Sequence, residues 1–276
     1  MDTHRFAARR AAFRKLHESG CFLVPNPWDA GSAHALASLG FKALATTSSG
    51  FAWSRAQPDH APDIDMVLAH CREIVAATPL PVNADFEHGH AESVDGLKKN
   101  VRRCVETGVA GLSIEDSTGD AAQPLYGFDE AVARMRAARA AIDAAGGDVL
   151  LVGRAECFLE GHPDALNESI RRLRAYAEAG ADCLYAPGAG KPDDIRAIVA
   201  AVAPRPVNVL VGRPAPYTLA DLATMGVRRV SVGGALAGAA WGGFLRAARG
   251  LGQGRFDGFA DNATHAELDG LFAKSR

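Results

Sequence analysis

Three short apolar runs in this chain end in side chains that could hold a cation and an anion close together. Val82-Asn83-Ala84-Asp85-Phe86-Glu87 closes the first, Leu112-Ser113-Ile114-Glu115-Asp116 the second, and Leu150-Leu151-Val152-Gly153-Arg154-Ala155-Glu156 the third. Asp85, Glu87 and Glu115 have no Lys or Arg beside them in sequence, which suits a hard divalent cation such as Mg²⁺, bound through oxygen ligands and water. Arg154 offers a planar fork that grips a carboxylate or a phosphate with two parallel hydrogen bonds. The structural alternative is that the acids pair with rim arginines and that Arg154 pairs with Glu115 or Glu156.

Weaker signals surround these. Thr46-Thr47-Ser48-Ser49-Gly50 combines small hydroxyl residues with glycine, so backbone N–H groups there can approach an anion. Asn26 and Asn208 end apolar runs and either donate an amide to a carboxylate or hold a loop. His88 and His90 form an H-x-H pair with no third ligand at metal spacing, so they read as polar rim residues, and His60 reads as a solvated loop residue. Gly233-Gly234 opens a helix, a place where barrels bind phosphate. That raises a rival reading as a sugar-phosphate aldolase or isomerase, but no lysine falls at a strand end to form a Schiff base.

These side chains converge only if their strands are parallel and open onto one face. Eight short apolar runs read as buried strands: 22–25, 43–47, 82–85, 111–114, 149–153, 183–186, 207–211 and 229–232. Between them lie helical stretches, including 95–106, 129–144, 165–178 and 192–201, after a first helix at 4–17. A helix end, a glycine and an apolar strand recur at Gly40, Gly108, Gly180 and Gly226, which suits left-handed helix-terminating glycines. The alternation predicts an α/β fold, a (β/α)8 barrel, with carboxylates and guanidinium at the carboxyl end of the strands. A doubly wound open sheet is the alternative, and no G-x-G-x-x-G follows the first strand to favour it.

The chain has 276 residues, the size of one such barrel, so it reads as a single domain over 1–276 with 250–276 a C-terminal helical extension. The net charge of -2 gives no reason to expect nucleic-acid or membrane partners. The charged N-terminus lacks the apolar stretch of a secretory signal. Cys21, Cys71, Cys104, Cys157 and Cys183 are odd in number, dispersed and without a C-x-x-C pair. They read as reduced thiols of a cytoplasmic protein.

At these residues the chain resembles the isocitrate lyase/phosphoenolpyruvate mutase superfamily over roughly 22–245. The resemblance rests on Pro25-Asn26-Pro27-Trp28-Asp29-Ala30, Gly40-Phe41-Lys42-Ala43-Leu44, Asn83-Ala84-Asp85, Ile114-Glu115-Asp116, Gly153-Arg154-Ala155-Glu156 and Ala177-Glu178-Ala179-Gly180-Ala181-Asp182. It implies a barrel whose C-terminal helix is swapped between subunits of a dimer or tetramer. It also implies Mg²⁺, and a small 2-oxo or 2-hydroxy carboxylic acid whose C–C or P–C bond is made or broken through an enolate-like intermediate. By this resemblance Asp59 is an acid following the second strand. Asp85 is the second acid of a D-x-D pair, Glu115 the acid of the fourth-strand motif, and Arg154 the substrate-binding arginine. Thr47 and Ser48 supply amides to the substrate carboxylate, and Asn208 matches a seventh-strand asparagine.

The chain departs from the pattern at four places, one of them near Gly234, where the strand-eight arginine that holds a second carboxylate in the tricarboxylate lyases is replaced. Asn83 stands where the first acid of D-x-D is expected, so Asp85 or Glu87 has to take its part; Ala45 replaces a stacking aromatic; and 117–127 lacks the K-[KR]-C-G-H cysteine. Isocitrate and 2-methylisocitrate are therefore poor substrates. The reading is a Mg²⁺-dependent lyase with catalytic Asp59, Glu115 and Arg154, substrate contacts from Thr47, Ser48, Arg154 and Asn208, and metal ligands Asp85, Glu87 and Glu115. The alternatives are P–C chemistry of the phosphonopyruvate type and a 2-oxo acid binding protein with little turnover.

Overall fold

The computed structural model describes residues 3–273. Its strands are β1 (Phe22–Val24), β2 (Leu44–Ala45), β3 (Val82–Asp85), β4 (Gly111–Glu115), β5 (Leu150–Arg154), β6 (Cys183–Tyr185), β7 (Val207–Leu210) and β8 (Arg229–Ser231). All seven pairings are parallel, in chain order from β2 to β8 with β8 against β1. The Ala45 amide donates to the Pro25 carbonyl at 3.1 Å and closes the ring between β1 and β2. The predicted barrel is therefore present, with every strand inside its predicted run or within one residue of it. The second strand is much shorter than 43–47 because Thr47 already caps the next helix.

The helices are α1 (Thr3–Leu16), α2 (Ala30–Ser38), α3 (Ser48–Ser54), α4 (Ile64–Ala77), α5 (Val94–Glu106), α6 (Phe128–Ala144), α7 (Ala165–Glu178), α8 (Pro192–Val202), α9 (Leu219–Thr224), α10 (Ala235–Leu251) and α11 (His265–Ala273). Their starts follow local chemistry: Ser93, Asp63 and Thr47 each accept a hydrogen bond from the first turn of the helix they precede. Gly40, Gly108, Gly180 and Gly226 sit at φ of +87°, +91°, +101° and +87°, the left-handed geometry that the repeat predicted.

Two apolar layers hold the barrel. The outer one packs helix faces such as Leu97, Val101 and Cys104 of α5 against the strands. The inner one fills the barrel with Val24, Ala43, Ala45, Ala110, Leu150 and Val152, and Phe13 of α1 plugs it from the amino end. At Gly153 a Cβ would lie 3.0 Å from the Tyr176 side chain, so glycine lets α7 approach β5 closely. The five cysteines are free. Among the described residues no helix is long and apolar enough to cross a membrane.

After β8 the chain leaves the compact barrel. α10 exposes Leu236, Trp241, Phe244 and Leu245 and packs against a 3-10 turn, Asp257–Phe259. α11 returns to α2, where His34 Nε2 lies 3.0 Å from the Leu271 carbonyl oxygen.

Candidate active site at the barrel mouth

Arg154 is the centre of the site. Residue pairing along the sheet places Glu115, Arg154 and Tyr185 side by side on β4, β5 and β6. Arg154 Nη1 lies 3.1 Å from Asp85 Oδ1 and 3.0 Å from Glu115 Oε2, its Nε donates to Glu156, and its guanidinium stands 5.4 Å from the Tyr185 ring centroid. The two structural partners proposed for Arg154 are thus both present, and Asp85 joins them. Asp85 and Glu115, which looked free of basic neighbours in sequence, are neutralised by a guanidinium from another strand.

Burial is the main influence on these groups. It pushes the Glu156 carboxyl up to about 7 and the Glu115 carboxyl well above the usual range, against the opposing pull of Arg154. Burial alone would lower Arg154, but Glu115, Glu156 and Asp85 hold it firmly protonated.

A second cluster adjoins the first. His60 Nδ1 lies 2.8 Å from Glu87 Oε2, and Asp59 Oδ2 lies 4.0 Å from His60 Nε2. His60 is therefore no free loop histidine. Its hydrogen bond to Glu87, with the charges of Glu87, Asp59 and Glu115, outweighs burial and raises it to about 9. Burial pushes Glu87 up, but His60 and His90 more than reverse this and leave it lowered. Burial pushes the Asp59 carboxyl up.

A cavity of about 160 Å³ opens at this mouth, lined by Asp59, Asp85, Arg154, Tyr185, Arg229 and Ser231 together with the segment from Thr46 to Ser49. Of the proposed substrate contacts, Thr47 and Ser48 line it, but the Ser48 amide donates to Asp85 Oδ2 at 3.2 Å and the Thr47 hydroxyl caps α3. Those groups first hold the loop and the acid. Asn208 is not on the wall: its amide donates to Ser231 Oγ at 2.9 Å and its carbonyl accepts from Arg229 Nε at 2.8 Å. Asn26 turns out to hold loops, donating to the Thr46 carbonyl and accepting from the Val232 and Gly233 amides.

Asn83, the position where the resemblance expects an acid, lines the cavity with Asp85; it is 2% exposed, and its side-chain carbonyl accepts from Arg229 Nη1 at 3.3 Å. Asp116 points away from the mouth: it accepts from Arg172 Nη1 (2.9 Å), the Tyr176 hydroxyl (2.5 Å) and the Glu156 amide (2.8 Å), so it secures α7 to the sheet.

The sequence reading missed His60 as a partner and, looking for a strand-eight arginine only near Gly234, passed over Arg229 at the start of β8. Arg229 is 3% exposed, reaches the floor of the cavity and has no carboxylate partner among the described residues. An arginine inside an apolar strand run, on the same face as Ser231, was the available signal.

The residues present fit a divalent cation. Asp59, Asp85, Glu87, Glu115 and Glu156 outnumber the cations Arg154, Arg229 and His60 at the mouth, and burial holds three of these carboxyls above their ordinary values. Such an excess of buried negative charge is what a dication relieves.

The family model for phosphoenolpyruvate phosphomutase matches residues 13–251. The uncharacterized Mycobacterium tuberculosis H37Rv protein Rv1998c is 34% identical over 228 residues, 80% of this chain and 81% of that protein. An oxaloacetate decarboxylase of Bradyrhizobium sp. ORS 278 is 30% identical over 239 residues, 82% and 78% of the two chains. A solved structure from Burkholderia cenocepacia J2315, described as a candidate lyase/mutase, superposes with a TM-score of 0.94 at 46% identity over 98% of each chain. Oxaloacetate acetylhydrolase with its product oxalate superposes with a TM-score of 0.85 at 27% identity, covering 96% of this chain and 94% of the other.

Proposed function

The chain belongs to the phosphoenolpyruvate phosphomutase family, whose relatives include lyases and mutases, and from that premise we propose that it is a divalent-cation-dependent lyase. It cleaves the C–C bond next to the 2-oxo or 2-hydroxy group of a small carboxylic acid through an enolate-like intermediate. The observation that carries this reading is the convergence of Arg154 and Asp85 on the wall of a cavity of about 160 Å³, with Glu115 3.0 Å from Arg154. That volume suits an acid of a few carbons. The relatives point the same way, since the decarboxylase and the acetylhydrolase both act on oxaloacetate by name.

Arg154, fixed by its carboxylate partners, presents a preoriented cationic wall to the substrate carboxylate, so the scissile bond stays aligned as it breaks. Arg229 adds positive potential from the floor. Asp59, on the cavity wall, is the carboxyl able to give or take a proton at the reacting carbon. Asp85, Glu87 and Glu115 are the residues that would hold Mg²⁺ or a similar ion through oxygens and waters. When bound, that ion would supply Lewis-acid stabilisation of developing enolate charge.

The same grip serves P–C chemistry of the phosphonopyruvate type, and Gly233 and Gly234 at the cavity edge favour keeping that reading second. Assembly belongs to the proposal as well. The small, apolar and exposed α10 suits exchange between copies of the chain, giving a dimer or tetramer.

The test is turnover of a panel of 2-oxo and 2-hydroxy acids with Mg²⁺, in wild type and Arg154→Lys. The lysine keeps the charge and loses the fork. A fall in kcat of more than about tenfold, or about 1.4 kcal/mol of barrier, supports the lyase reading. Conversion of phosphonopyruvate alone supports the P–C reading. Tight binding without turnover of any of them leaves a binding protein.

A further inference from the structure

The catalytic cavity has a larger neighbour. About 530 Å³ in volume, it lies among the loops that follow β5, β6, β7 and β8. The two cavities share Leu210, Gly233 and Gly234, and so meet at one junction. Side chains are absent where they would close it. Gly233 holds φ at +54°, and a Cβ there would stand 3.2 Å from Leu210 Cδ1. A Cβ on Gly234 would stand 2.6 Å from Ser49 Oγ, on the wall of the catalytic cavity. Glycine at both positions keeps the passage open.

The two spaces differ in chemistry. Asp59, Asp85, Arg154 and Arg229 line the first, whereas Leu159, Val211, Pro214, Pro216 and Tyr217 line the second. Arg213 is the one charged residue on that second wall, and it is exposed. The wall is also preformed. Pro214 and Pro216 restrict the backbone after β7. The Val211 amide donates to the Ser231 carbonyl at 2.9 Å, and the Val211 and Tyr217 side chains pack against the core. Gly188 sits at φ of +89°, where a Cβ would meet Phe158 Cβ at 2.8 Å, so glycine lets the loop after β6 pack onto the loop after β5. A preformed, mostly apolar space beside convergent polar groups is what the distal part of a ligand occupies.

We propose that this second cavity receives an apolar arm of the substrate. The acid carries, beyond its reacting carbons, a branched alkyl or aryl substituent that passes the junction at Leu210 and Gly233. The polar cavity then holds the reacting carboxylate end, and the apolar one holds the arm. Burial of the arm anchors the reacting end, so binding at a remote part of the substrate serves the bond that breaks. The substrate class is accordingly a substituted acid bulkier than oxaloacetate. The inference rests on the lyase reading and narrows its substrate.

The experiment gives the full chain, with Mg²⁺, oxaloacetate and its 3-butyl and 3-benzyl derivatives, and measures kcat/KM by turnover and Kd by calorimetry. Wild type is compared with Ala215→Trp, which fills the cavity from a half-buried loop position, and with Leu159→Asp, which puts a charge on its wall. The expected result is a wild-type preference for a substituted acid over oxaloacetate of at least about tenfold, since even one methylene in an apolar pocket is worth about that much. Either substitution should cut the preference at least about tenfold. A wild type that favours oxaloacetate over both derivatives, as it would if a second copy of the chain covered the cavity, overturns the proposal and leaves the lyase reading standing. A preference that survives both substitutions overturns it as well. The same preference seen in Kd without turnover supports the arm and rejects the lyase reading, and binding of none of the acids rejects both. Two variants at separate loops, and a preference read first on wild type, keep the proposal testable if one variant misfolds.

Discussion

Arg154→Met removes the guanidinium shared by Asp85, Glu115 and Glu156 while keeping most of its apolar stem. The Glu115 and Glu156 side chains are each 3% exposed, so they cannot simply turn to water. Each then either stays charged without a partner, at several kcal/mol, or takes up a proton. Protonation caps the cost at about 1.4 kcal/mol for each pH unit above the ordinary value. Against the ordinary value of 4.5, the cap is about 4.8 kcal/mol per carboxyl at about pH 8 and about 1.4 kcal/mol at about pH 5.5. In wild type, Glu156, held at about 7, already bears about 3 kcal/mol of this at the higher pH. The variant therefore loses about 1 kcal/mol more through Glu156, and loss of the Arg154 charge pushes Glu115 in the same direction.

Both groups have folded values raised above their unfolded ones. The penalty is accordingly absent below about pH 4.5 and grows as pH rises toward the folded value. Urea unfolding at about pH 8 should show Arg154→Met less stable than wild type by about 1 kcal/mol or more beyond its deficit at about pH 5.5. A deficit equal at the two pH values, or larger at the lower one, refutes the claim that Arg154 neutralises these carboxylates.

Three other outcomes can be measured independently. His70 stacks on Phe51 with ring centroids 4.0 Å apart, both its ring nitrogens lack partners, and burial lowers it to about 4. Its folded value is depressed, so wild type loses stability as pH falls below about 6.5, by about 2 kcal/mol at about pH 5. His70→Phe should remove that loss, and a variant with the wild-type acid slope of unfolding free energy counts against it. Asp116→Ala strands Arg172, the Tyr176 hydroxyl and the Glu156 amide and should cost about 3–5 kcal/mol, lowering Tm by roughly 6–20 °C; a change under about 3 °C by circular dichroism would show that Asp116 does not secure α7. Trp241→Glu places a charge on the exposed face of α10 and should shift the light-scattering mass from oligomer toward monomer, whereas a wild type already monomeric at micromolar concentration would sink the exchange reading.

The sequence by itself determined the barrel. Eight apolar runs, helix-period stretches between them and recurring glycines leave few other ways to bury that many parallel strands, and the runs matched the strands closely. It also determined which strand ends carry charge, because a carboxylate or guanidinium following an apolar run has to emerge at the sheet's end. What it could not determine was who neutralises whom. Asp85 and Arg154 are sixty-nine positions apart, and only strand order and tilt bring them to 3.1 Å. Glu115 and Asp116 are neighbours in the chain, yet alternation along a strand sends one to the barrel mouth and the other to α7. His60 comes from a loop that shows no metal spacing and meets Glu87 at 2.8 Å only in the folded barrel, with both residues in left-handed backbone positions. Arg229 read as an ordinary strand residue until the closed ring turned it inward. Local pattern therefore set the elements and their ends, while the pairing of charges, which depends on distances across the barrel, was decided by closure of the sheet.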